Sequence, residues 1–218
     1  MKTVFRGRQD YVPLWREMQK FTNHRNENTP DTIWFVEHPP VYTLGLNANE
    51  DHLLSPGKTP VVKVDRGGQV TFHGLGQLMI YPLIDLNRLK IGVRDLLNSL
   101  EKSIIDLAAE YSTKANNCPE APGVYVKGKK LASVGLRIRR GSSFHGMALN
   151  VDIELEPFEK INPCGYPEMK MTELSSKLGK LWKSLPANKR KPYEEMYAKD
   201  RDRYDAEMEE YNASKDSY

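Results

Sequence analysis

From Tyr11 to Met171 the chain alternates between two hydrophobic rhythms, and beyond Met171 one of them disappears. Helical spacing comes first. Leu14, Met18 and Phe21 fall on one face of Tyr11–Asn26, which predicts an amphipathic helix. Leu96, Leu97, Leu100, Ile104, Leu107 and Ala108 do the same for a longer helix over Val93–Tyr111. Between and after them lie short β-like runs. These are Asp31–Glu37, ended by His38-Pro39-Pro40, then Val41–Gly45, Pro60–Val64, Leu78–Ile84 and Phe144–Val151. Gly123–Val126 and Lys130–Leu136 read as a hairpin turning at Lys127-Gly128-Lys129. Strands mixed with two long helices predict an α/β or α+β domain.

After Met171 the β rhythm stops. Leu174, Leu178, Leu181, Trp182 and Leu185 make one helical stripe. Tyr193, Met196, Tyr197, Tyr204, Met208 and Tyr211 make a second, and Pro186 and Pro192 punctuate the connection. This predicts a boundary near 173, with a domain over 1–173 and an all-α helical hairpin over 174–218. Residues 175–218 hold ten Lys and Arg against nine Asp and Glu, so the tail is charged yet almost neutral.

Composition sharpens this division. At 218 residues with 39% hydrophobic content the chain can build one ordinary core. A mean hydropathy of −0.62 is polar for a compact enzyme, as expected if one part forms a core and another is charged. A net charge of +3 argues weakly for nucleic acid or anionic membranes. No apolar run approaches the ~20 residues of a spanning helix, and Met1–Phe5 leads directly into Arg6 without a signal-type apolar core. Two cysteines do not make a disulfide framework. The expectation is a soluble protein of a reducing, cytoplasmic compartment, with no membrane partner.

Chemistry narrows to a few residues. Cys164, in Asn162-Pro163-Cys164-Gly165, sits in a turn that tends to expose its side chain. It reads as a nucleophile or as a small buried hydrophobe. A catalytic thiol needs help, because a free one has a pKa near ~8.5; a nearby lysine supplies it as a cation or, when desolvated, as a base. Cys118, in a polar loop, reads as incidental. Neither cysteine belongs to a Cys-x-x-Cys pair, so no metal site is expected. The block Arg66–Gln77, with Gly67, Gly68, Gly74 and Gly76, either shapes an acyl pocket and an oxyanion site or forms an ordinary hairpin loop. It lacks the order of a phosphate-binding fingerprint. Lys130 opens an apolar strand and is placed to point inward; Arg137, Arg139 and Arg140 close that strand, either as a solvated face or to meet an acidic partner.

Taken together, these stretches resemble the lipoyl(octanoyl) transferase family over about residues 3–173. The matching runs are Arg66–Gly74 with Gly76-Gln77, Lys130–Gly141, Ser143–Gly146 with Ala148–Val151, and Asn162–Gly165. The resemblance implies a mixed sheet flanked by helices, as in biotin protein ligases and lipoate ligases. It implies that Cys164 takes an octanoyl (or lipoyl) group from acyl carrier protein as a thioester and that Lys130 activates the thiol. It implies an acyl site built by Arg66, Gly67, Gly68, Gln69, Val70, Thr71, Phe72, His73, Ser133, Val134, Gly135, Gly146, Met147 and Ala148. The acceptors it implies are lysines on lipoyl domains of 2-oxoacid dehydrogenases and on the glycine cleavage H protein. No cofactor is implied, because the incoming thioester is already activated.

Residues 172–211 resemble the second and third helices of an HMG box, through Leu178–Leu185, Lys191-Pro192-Tyr193-Glu194 and the Tyr204, Glu207, Tyr211 stripe. HMG boxes bend DNA through the minor groove, but the first helix and basic strand are absent. The join near Met171–Leu174 suggests a fusion or chimera. Two rivals follow: a DNA-associated protein with an inactive transferase scaffold, and an ATP-dependent lipoate–protein ligase. Pro163-Cys164-Gly165 argues against the second, since such ligases rely on a lysine alone.

Overall fold

The computed structural model describes residues 1–175, all of which lie in one unit of the fold. The expected 174–218 hairpin and its HMG-box-like stripes fall, but for its first residues, outside the described residues. Strands β1 (Lys2–Arg8), β2 (Thr32–Glu37), β6 (Gln77–Leu83), β7 (Asn116–Asn117), β8 (Gly123–Val126), β9 (Lys129–Arg139) and β10 (Ser142–Asn150) form one seven-stranded sheet in the order β1-β2-β6-β10-β9-β8-β7. Among the described strands of this sheet, only β1 and β2 pair in parallel. Helix α1 (Tyr11–His24) makes the crossover between them. A second, three-stranded sheet orders β4 (Val61–Lys63), β3 (Val41–Leu44) and β5 (Val70–His73).

Helix α1 buries Tyr11, Leu14, Trp15 and Met18, an i, i+3, i+4, i+7 stripe, against Trp34, Met79, Tyr81, Leu83 and Phe144. Helix α2 (Leu86–Leu89) is one turn, capped by the Asp85 side chain on the Arg88 N–H. Helix α3 (Val93–Glu110) packs against β7, β8 and β9 and buries Leu96, Leu100, Ile104 and Ala108. The small sheet has its own apolar cluster. Tyr42, Leu44, Val70 and Phe72 meet Ile153, Ile161, Met171 and Phe158 of α4 (Glu156–Glu159).

Three local features depart from the sequence expectations. The N-terminal run, given no element, is strand β1. Its alternation is weak because Lys2, Thr3 and Phe5 are exposed, and it is held by backbone pairing to β2, by Arg6 stacked 4.6 Å over Trp34, and by the Arg6–Glu17 ion pair at 2.6 Å. Strand β5 lies inside the Arg66–Gln77 glycine block; all four of its residues are buried, which erases the period-two signal. The polar stretch before Cys118 contributes the short edge strand β7. The β8–β9 hairpin turns, as expected, at Lys127 and Gly128, whose φ values of 50° and 75° are those of a two-residue primed turn.

Candidate active site

Cys164 occupies a one-turn 3₁₀ segment, Pro163–Gly165, in the left-handed region at φ 58°, with Gly165 following at φ 84°. A non-glycine residue there carries strain on the order of 1 kcal/mol, so the surroundings must hold it. The Gly165 N–H bonds Asn162 O at 2.9 Å, the Tyr166 N–H bonds Pro163 O at 3.1 Å, and the Asn162 N–H bonds His52 O at 2.8 Å. Beyond the turn the chain runs back alongside Lys130. The Lys130 N–H donates to Lys170 O at 2.8 Å, and Lys130 O accepts from the Thr172 N–H at 2.9 Å. That backbone pairing brings the two side chains together across the sequence: Lys130 Nζ lies 3.2 Å from Cys164 Sγ.

The ammonium is buried, with only 1% of Lys130 exposed. Burial alone would lower its pKa. The charge of Cys164 and the Tyr125 ring and hydroxyl outweigh that, and the pKa ends above the usual lysine value. Attraction between opposite charges at such a separation is on the order of 4 kcal/mol at intermediate dielectric. Lys130 thus keeps its charge beside the sulfur. A second buried cation stands nearby. The Arg66 guanidinium donates to Thr43 O at 2.7 Å, to Thr43 Oγ1 at 2.8 Å and to Gly67 O at 2.9 Å. Its pKa is drawn down by burial, while Tyr11, Cys164 and Tyr81 act in the opposite sense.

Under Arg66 runs a chain of polar groups with one self-consistent direction. Thr43 Oγ1 accepts from Arg66 and faces His73 Nε2 at 3.2 Å. His73 Nδ1 donates to Gln77 Oε1 at 2.8 Å, Gln77 Nε2 to Asn150 Oδ1 at 2.9 Å, and Asn150 Nδ2 to Thr172 O at 3.0 Å. Burial holds His73 well below the usual histidine value, so it is neutral and serves this chain as a hydrogen bonder. His145 is also buried. It meets Asp65 at 2.8 Å, and Asp65 in turn accepts from Trp15 Nε1 at 2.7 Å.

The thiol and ammonium face a pocket of about 370 Å³. That is near the lower end of ligand sites, a fit for one narrow chain. Its walls carry Arg66, Gly67, Gly68, Gln69, Val70, Thr71, His73, Lys130, Ser133, Val134, Gly135, Gly146, Met147, Ala148 and Cys164. Gly146 is required by a close approach: a Cβ there would collide with the Ile80 carbonyl. Of the residues expected at the acyl site, only Phe72 is not on the wall. Alternation along β5 turns it into the small-sheet core, tilted against Tyr42 with centroids 5.2 Å apart and edge-on to Phe158 at 5.6 Å. The Gly67 N–H, a candidate oxyanion donor, is already bonded to Leu136 O at 3.0 Å. Sequence reasoning missed Tyr11, Met79, Tyr81, Leu97, Pro122, His145 and Tyr166 on the wall. His145 and Tyr166 had a faint signal, one beside Gly146 and the other two residues after Cys164; Tyr11 and Leu97 look like ordinary helix-core residues.

A pocket of this size, with a partly exposed thiol beside a buried ammonium on this mixed sheet, marks the site, and comparison with known proteins gives the enzyme class. The lipoyl protein ligase A/B catalytic domain matches residues 10–189, past the boundary expected near 173. Among solved structures, lipoate-protein ligase A bound with ATP superposes with a TM-score of 0.67 at 9% identity, covering 86% of this chain and 79% of that one. A putative lipoate protein ligase from T. acidophilum with bound lipoic acid gives 0.63 at 10% identity, over 80% and 76%. Such low identities show the shared fold alone. Within the class, an octanoyltransferase of Pseudomonas fluorescens (strain Pf0-1) is 57% identical over 80% of this chain and 81% of its own length. One from Shewanella amazonensis is 56% identical over 77% of each. The chain belongs to the octanoyltransferase family.

Proposed function

We propose that this enzyme carries out octanoyl transfer through a covalent thioester on Cys164. The observation that carries the reading is the 3.2 Å contact between a buried ammonium and the thiol, on the wall of an apolar pocket. The thiolate attacks the carbonyl carbon of an octanoyl thioester donor. The tetrahedral intermediate collapses and expels the donor thiolate, which takes a proton from the Lys130 ammonium. Lys130 is now neutral. An acceptor lysine amine then attacks the Cys164 thioester, its proton passes to Lys130, and the Cys164 thiolate departs as the amide forms. Protons and charge return to their starting places, and one difficult acyl transfer becomes two easier ones. The donor is acyl carrier protein; the acceptors are lipoyl domains of 2-oxoacid dehydrogenases and the glycine cleavage H protein, within lipoate biosynthesis. Arg66 contributes fixed positive charge near the developing oxyanion.

Intact-mass spectrometry after mixing with octanoyl–acyl carrier protein should show one octanoyl adduct, absent in Cys164→Ala. No adduct, or one that survives that substitution, overturns the mechanism. An ATP-dependent ligase would fit the same fold. Product formed by Cys164→Ala from octanoate and ATP would establish that reading instead.

A further inference from the structure

The mechanism leaves the most deeply buried carboxylate among the described residues, Glu101, unused. Glu101 is 2% exposed and lies one turn along α3 from the pocket residue Leu97. Both of its oxygens are spent on one short segment. Oε2 accepts from Asn117 Nδ2 at 2.9 Å, and Oε1 accepts from the Gly123 N–H at 2.7 Å. Those two residues flank the strap Cys118–Pro122. Within the strap, three successive carbonyls accept from side chains of the site. Glu120 O takes the Tyr166 hydroxyl at 3.2 Å, Ala121 O the Tyr125 hydroxyl at 2.5 Å, and Pro122 O the Lys130 ammonium at 3.2 Å. Tyr125 also presents its ring 5.2 Å from the same ammonium. Among the described residues, apart from Cys164, the partners of that ammonium are therefore part of the strap or bonded to it.

We propose that Glu101 is a positioning residue for the transfer reaction: by clamping both ends of the strap, it holds Pro122 O where that oxygen orients the Lys130 ammonium on Cys164. This rests on the Cys164–Lys130 reading above. An ammonium has three N–H groups on a flexible stem, so its direction is set by its acceptors. A buried carboxylate is costly unless fully hydrogen-bonded, and here the offsetting bonds come from the two residues that flank the strap. If the strap slips, Pro122 O leaves and the ammonium can turn from the sulfur. The Asn117–Glu101–Gly123 clamp thus acts at a distance, through backbone geometry.

Glu101→Gln keeps the volume and an acceptor for Gly123, but sets an amide NH₂ against the Asn117 NH₂. Rates of Cys164 alkylation by iodoacetamide against pH should fall on the order of tenfold at neutral pH, with the profile's midpoint moved upward. The kcat of octanoyl transfer should fall with it, at unchanged KM and unchanged circular dichroism. Lys130, Arg66 and Tyr125, whose charges act with that of Cys164, and Glu120, Tyr166 and His52 around the turn and pocket are all retained, so the midpoint reports where the ammonium sits. Lys130→Ala is run in parallel. If it moves the profile and Glu101→Gln does not, the clamp is overturned while the thiol–ammonium reading stands. If Lys130→Ala leaves the profile unchanged, that reading itself falls, and the clamp's role with it. Should Glu101→Gln fail to fold, Asn117→Ala releases one end only, from an exposed strand; it should give a smaller shift in the same direction, and a wild-type profile there overturns the proposal.

Discussion

Two loops in this protein carry a cysteine each, and they differ in charge. Both thiols are partly exposed, so access does not separate them. Cys164 faces the Lys130 ammonium at 3.2 Å, with the Arg66 guanidinium close enough to feel its charge. Cys118 points its S–H at the Glu120 carboxylate, also at 3.2 Å. A thiolate at the first position meets cations; at the second it meets an anion. On the proposed mechanism the same atom on the same fold is a nucleophile in one loop and a bystander in the other, and the neighbour decides.

The sharpest break is a race between the thiols. With limiting iodoacetamide at pH 7, Cys164 should be modified about tenfold faster than Cys118, or more; peptide mapping by mass spectrometry reads the ratio. Equal rates, or Cys118 first, would mean that Lys130 does not activate its neighbour. Octanoylation should follow the same order, with the adduct on Cys164 alone.

Acid separates the two loops by a different route. Behind Cys164 lies the neutral His73–Gln77–Asn150–Thr172 chain, with His38 and His145 also buried. Burial depresses all three histidines below their usual 6.5, although Asp65 pulls His145 the other way. A base with a depressed folded pKa binds its proton more weakly when folded than when unfolded. Its stabilising contribution is therefore complete above pH 6.5 and is lost as pH falls below it. Thermal melts should show Tm falling from about pH 6.5 downward, well before ordinary carboxylates titrate. His73→Gln, which cannot take up a proton, should flatten that slope. An unchanged slope would remove His73 as its source.

How much of this was legible beforehand follows a physical line. Helices α1 and α3 could be read because each buries one stripe, as Leu14 and Met18 or Leu100 and Ile104 show. The Lys127-Gly128 turn was legible because its positive φ values favour glycine. Strand β1 was not, since an edge strand with Lys2, Thr3 and Phe5 exposed depends on a partner, and β5 was not, since it is buried on both faces. Cys164 and Lys130 stood out as candidates from their local settings, and the family resemblance supplied their roles. Their meeting depends on residues 170–172 pairing with the Lys130 backbone, which no local pattern encodes. Glu101 carries no local signal in the sequence, because its proposed role comes from Asn117 and Gly123, joined to it only by the fold.

The smallest effect concerns Phe72, which the family resemblance put in the acyl site and which packs instead beneath the Cys164 loop. Its ring sits between Tyr42 and Phe158 in the small-sheet core, and strand β5 touches the Pro163–Gly165 turn. Phe72→Leu shortens the side chain without opening it to the pocket. It should cost about 1 kcal/mol of stability, within the usual range for a mild core change, measured by urea denaturation. The KM for octanoyl–acyl carrier protein should not move, because no acyl contact is lost. A raised KM at unchanged stability would instead place the ring against the acyl chain. Nothing comparable lies in the strap, where Glu101 and three carbonyls, not an aromatic core, hold the Cys118 loop; the two loops differ in what supports them as much as in the charge they face.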